Sequence, residues 1–100
     1  MKKMNVMGLN PETKEVQCGK YKIRKFVYYL SHRAGIRIEV VHSQITGVTD
    51  IRVLRGDDIS IVKECVVVDA LVRPRQVYLQ KKLERLITKL QNGDNVFKAG

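Results

Sequence analysis

At 100 residues, 44% hydrophobic and 29% charged, the chain is sized and composed as one folded domain and not as a disordered tail. Nineteen Lys and Arg against ten Asp and Glu leave a formal net charge of +9, which draws polyanions: nucleic acid first, an anionic membrane or an acidic protein surface after it. No run approaches the roughly 20 apolar residues of a membrane span, and the opening MKKMNVMGLN lacks the apolar stretch of a signal peptide, so a reducing cytoplasm is the expected location.

Residues 1–93 read as a single domain and 94–100 as a flexible tail, with Val96 and Phe97 as its docking candidates. So short a chain buries a modest core, and a homodimer would enlarge it. Met4–Leu9 reads as a short strand, Asn10–Thr13 as a turn, and Lys14–Cys18 as the returning strand of a hairpin. From Lys20 to Ala34 the period changes. Ile23, Phe26, Val27, Leu30 and Ala34 recur at helical spacing, which predicts an amphipathic helix ended by Gly35, although no capping residue marks its start.

The alternation in IRIEVV predicts a half-buried strand, and Val48–Arg55 a second one. RGDD, with Gly56, Asp57 and Asp58, reads as a hairpin tip. In the run ISIVKECVVVDALV the alternation slips near Lys63–Glu64, where a bulge or tight turn is expected. Apolar residues on both faces of Cys65–Val68 predict a central strand covered on both sides. A last helix should start at Pro74 and stop at Asn92–Gly93. The expected fold is therefore α+β: a small antiparallel sheet with two amphipathic helices, in the order β-β-α-β-β-β-α.

Both helices would carry cations on one side. In the last one, Leu79, Leu83, Leu86, Ile87 and Leu90 form the buried stripe. With Leu79 at zero, Lys81, Lys82, Arg85 and Lys89 fall between about 200° and 300°, with Tyr78 among them. In the first, with Ile23 at zero, Lys22, Lys25, Tyr29 and Arg33 lie between about 200° and 280°. Arg73 and Arg75 flank the start of the last helix, where free N–H groups favour anions. Lysine and arginine neutralise phosphates and release counterions, and tyrosine offers a ring to bases or a hydroxyl to phosphate. The plain alternative is a solubilising surface, with the tyrosines packed on a sheet edge.

The order α-β-β-β-α from Lys20 to Leu90 resembles that of double-stranded-RNA-binding domains in topology alone. RPRQVYLQKK is a loose counterpart of that family's lysine-rich helix start, with different spacing, and the preceding hairpin is extra. The resemblance tilts the expected ligand toward RNA.

No metal or cofactor is expected. Cys18, His32, His42 and Cys65 lack ligand-pair spacing, the two cysteines read as buried free thiols, and both histidines as surface residues. Asp57 and Asp58 are turn formers before they are magnesium ligands. The sequence thus predicts a non-catalytic, phosphate-directed nucleic-acid-binding protein without sequence readout. Its rivals are a regulator that docks its basic surface on an acidic protein, and a metal-independent ribonuclease working with Arg, Lys and Tyr.

Overall fold

Among the described residues, five strands follow one another in an antiparallel meander and one helix comes after them. In this computed structural model residues 4–30, 35–56 and 62–97 are described. The strands are β1 (Glu12–Cys18), β2 (Tyr21–Tyr29), β3 (Ile36–Ser43), β4 (Val48–Arg55) and β5 (Glu64–Val72), and the helix is α1 (Gln76–Gln91). They neighbour one another in sequence order, so β1 and β5 are the two edges.

Over its described residues, 20–30, the expected first helix is a strand. The same residues that fit a 3.6 period also fit a period of two, because apolar residues occupy both parities of FVYYL. Phe26, Tyr28 and Leu30 join the core beneath α1, while Val27 is buried on the opposite face. Tyr, Ile, Phe and Val suit a pleated surface better than a helix, and full pairing on both sides with β1 and β3 decides the matter. The order β-β-α-β-β-β-α and the two-helix architecture are thereby corrected to β-β-β-β-β-α. The topological likeness to double-stranded-RNA-binding domains goes with them.

Three further expectations change. Met4–Leu9 does not pair with Lys14–Cys18. It folds on itself through a Val6–Leu9 bridge, with Met7 and Gly8 at positive φ (51° and 81°). Strand β1 instead pairs with β2 through the two-residue Gly19–Lys20 turn, with Gly19 at φ 61°. The run Cys65–Val68 is not central but lies on the β5 edge: Val67 is 53% and Val68 44% exposed, and Cys65 is exposed as well. The irregularity expected at Lys63–Glu64 falls at Val68, where the β4–β5 register shifts between Ile51 and Arg52. Asp57, Asp58, His32 and Arg33 lie outside the described residues.

The last helix matches its expected span to within two residues. It follows Pro74 and ends in a Schellman motif, with Gly93 N–H on the Leu90 carbonyl, Asp94 N–H on that of Lys89, and Gly93 at φ 90°. Leu79, Leu83, Leu86, Ile87 and Leu90 bury against Phe26, Tyr28, Ile38, Val40, Ile51 and Val53. Each such leucine contributes roughly 1.5–3 kcal/mol on burial. Val6 and Met4 fill the space beside them, and Val96 and Phe97 pack on the same core, with the Arg55 guanidinium 4.9 Å from the Phe97 ring centre.

Tyr28 ties the amino-terminal segment to the core by donating its hydroxyl to the Met4 carbonyl at 2.8 Å. Burial pushes its pKa up to about 12, above the ordinary 10. Because the folded state holds this proton more tightly, the associated stability is intact below pH 10 and is lost as pH rises from 10 to 12. Absorbance titration of the phenols should show a tyrosine ionising near pH 12 that disappears in Tyr28→Phe. That variant should also lose about 1 kcal/mol in denaturant unfolding at neutral pH.

Candidate nucleic-acid interface

The leucine stripe fixes which side of α1 meets the sheet, and so where its cations point. The apolar side is held by β2, β3 and β4, and Lys82, Arg85 and Lys89 lean toward the β5 edge. There they line a cleft of about 240 Å³ together with Ile51, Val68, Asp69 and Leu86. Tyr78 stands in the same row, 51% exposed, with the Lys82 ammonium 5.5 Å from its ring centre. Lys81 is exposed on the adjoining strip of the helix. Among the described residues no ion pair engages Lys81, Arg85 or Lys89.

Lys82 is different. Its ammonium is bonded to the Asp69 carboxylate, and this contact holds Asp69 below and Lys82 above their usual pKa values. Asp69 is the acid of the cleft, and the sequence reading had not singled it out. Its signal was available: a lone charge inside the apolar run CVVVDALV needs a partner above the sheet.

The helix start adds positive potential of its own. Arg75 is the N-cap residue with no side-chain capping bond, and the first turn holds no acid, so neither device screens the dipole. Arg73 adopts φ 45°, donates its backbone N–H to the Gly47 carbonyl at 2.9 Å, and lays its side chain against Gly47. It thereby joins Lys20, Tyr21, His42 and Gln44 around an open recess. Nothing in the sequence placed these residues together, because their meeting depends on two turns and a strand end falling at one end of the sheet. His42 accepts or donates a hydrogen bond at Thr49 Oγ1, 2.9 Å away, and burial lowers its pKa.

The other half of the expected interface is dispersed. On a strand, Lys22 and Lys25 point to opposite faces. Lys22 pairs with Glu15 at 3.2 Å, and Lys25 pairs with Glu39 at 3.4 Å on the face away from α1. Glu39 also lies 4.0 Å from Arg37, so two cations share one carboxylate on that face. Tyr29 donates to Glu12 at 3.0 Å, and its phenol pKa is raised, first by burial and then by that bond. These three residues do not join the α1 ridge. Cys18 is half-buried and Cys65 exposed, both free, in place of the buried thiols expected.

Among the described residues no cluster of three metal-ligating side chains occurs, and no helix is long and apolar enough to cross a membrane. The Asp69–Lys82 contact has a sign that can be checked. Because the folded-state pKa of Asp69 is depressed, its stabilisation is present above pH 3.8 and is lost as pH falls through the folded value. Thermal midpoints measured from pH 6 to pH 2 should therefore fall more steeply for the wild type than for Asp69→Asn. No protein-family model, no curated protein and no solved structure significantly matches this chain.

Proposed function

We propose that this protein binds nucleic acid through its phosphates, without catalysing a reaction and without reading sequence. Supporting this is one arrangement: Lys81, Arg85 and Lys89, none in an ion pair among the described residues, run along α1 beside Tyr78. On an ordinary solvated helix such neighbours would alternate with acids and gain a few tenths of a kcal/mol per pair. Here they repel one another along the ridge, and a row of phosphates relieves that repulsion while releasing condensed counterions.

Tyr78 gives the ridge a ring on which an unstacked base can lie. Arg75 and the unscreened helix dipole extend the positive strip at one end, and Arg73 continues it onto the turns. Lys22, Lys25 and Tyr29 are left out of the proposed interface because carboxylates already occupy them. The reason for preferring RNA rested on a first helix that is a strand, so the proposal covers single-stranded polynucleotides of either sugar.

Binding of short oligonucleotides over a range of salt concentrations tests this. Four contacts predict a log–log slope near −3, at about −0.7 per phosphate on single strands. Replacing Lys81, Arg85 and Lys89 together by Gln should flatten it by about 2. Asp69→Asn should do the opposite, releasing Lys82 and steepening the slope by about 0.7. A slope unchanged in the triple variant would remove α1 from the interface, and a nonspecific polynucleotide that fails to compete would favour an acidic protein partner instead.

A further inference from the structure

The two edges of the sheet are built differently. Strand β1, ETKEVQC, carries Glu12, Lys14 and Glu15 and so presents the charged edge that discourages strand addition. Strand β5, ECVVVDALV, presents a nearly uncharged one. Its charges are Glu64 at the beginning and Asp69, which is turned toward Lys82. Val67 and Val68 between them are 53% and 44% exposed and Val72 beyond them 73%, on an edge strand nine residues long. Polynucleotide binding along α1 does not account for that surface.

We infer that β5 is a dimerisation seam, pairing antiparallel with β5 of a second copy about a two-fold axis between Val68 and Asp69. The strand is self-complementary in that one register. Opposite Leu54, Arg52, Asp50 and Val48, the residues Cys65, Val67, Ala70 and Val72 share the face away from α1. Val66 and Leu71 share the core face. The proposed axis sets Cys65 opposite Val72, Val67 opposite Ala70, and Val66 opposite Leu71, three pairs that are apolar and matched in face, and at the centre it sets Val68 opposite Asp69, whose carboxylate is bonded to Lys82 of its own chain. Glu64 and Arg73 end the seam, the one ion-paired with Arg55 and the other laid against Gly47 of its own chain.

The bulge is consistent with this placement. Val68 is the unopposed residue of the β4–β5 ladder, since Asp69 faces Ile51 and Val67 faces Arg52. A bulge elsewhere would throw the two strands out of face, whereas at the axis each copy's irregularity meets the other's. An edge left alone offers unpaired backbone N–H and C=O groups, which the second copy satisfies. The helix does not obstruct the approach, because its buried side rests on β2, β3 and β4. If α1 binds polynucleotide as proposed above, the seam would become the floor of a trough walled by two cationic ridges, but the pairing itself does not rest on that reading.

The test needs no nucleic acid. Light scattering at about 100 μM should give twice the 11.5 kDa chain mass. Val67→Glu, whose carboxylate would lie beside Arg52 on β4, should halve that mass while leaving the circular dichroism spectrum and thermal transition of a folded chain. Adding Ala70→Lys, beside Asp50, should restore the doubled mass, whereas Val67→Glu with Val72→Lys should not. In a Cys18→Ser background, Val72→Cys should form a disulfide with Cys65 of the second copy under mild oxidant. A wild-type chain of single mass, together with a Val72→Cys variant that forms no such cross-link, overturns the seam. Equal rescue by both lysine positions overturns the register. The Lys81, Arg85 and Lys89 triple variant should keep the doubled mass even if it loses polynucleotide, which separates failure of the seam from failure of the binding ridge.

Discussion

The contact between the leucine stripe of α1 and one face of the sheet is the constraint on which the other features depend. Leu79, Leu83, Leu86, Ile87 and Leu90 have no apolar partner within their own helix, and the meander offers one on the face built by Phe26, Tyr28, Ile38, Val40, Ile51 and Val53. Once those surfaces meet, the rotation of the helix is fixed. Tyr78, Lys82, Arg85 and Lys89 must then stand toward β5, and Lys82 must find Asp69. A helix rotated by a quarter turn would scatter the same cations over open solvent.

The two faces of the sheet solve different problems. The face under α1 excludes water with hydrocarbon. The opposite face has no covering element among the described residues, and along its middle strands Lys25 and Arg37 share the Glu39 carboxylate, with Val27 and Leu54 buried among the side chains there. Long cationic side chains do this well, because their stems cover apolar surface while their charged ends stay wet. Part of the positive charge on that face is taken up by Glu39 and Asp50. On α1, Lys81, Arg85 and Lys89 have no ion pair among the described residues, so their charge stays on one side of the helix. Val68 of β5 lines the cleft beside Arg85 and Lys89, so the exposed apolar edge adjoins the ridge.

The helix α1 was legible from sequence in its period, its Pro74 start and its Asn92–Gly93 stop, because each of these signals acts within a few residues. Its cationic flank was legible for the same reason. Residues 20–34 were not. FVYYL satisfies both periods, and the missing cap together with the β-branched and aromatic content was the local hint that the strand reading is the right one. The misplacement of Cys65–Val68 has another cause: an apolar run looks alike whether it lies in the centre of a sheet or at an edge awaiting a partner. Lys22 and Lys25, same-sided on a wheel, fell to opposite faces when the period became two.

By itself, then, the sequence determined the charge excess, the amphipathic helix with its ridge, the strand character of the middle of the chain and the turns marked by glycine. These follow from propensities and spacings that a single segment carries. The tertiary structure alone decided which strands are edges, which cations find carboxylates, and that Arg73 meets Lys20, Tyr21 and His42. Those outcomes depend on strand order and register, which are set by the competition of all segments for partners and are written in no one of them.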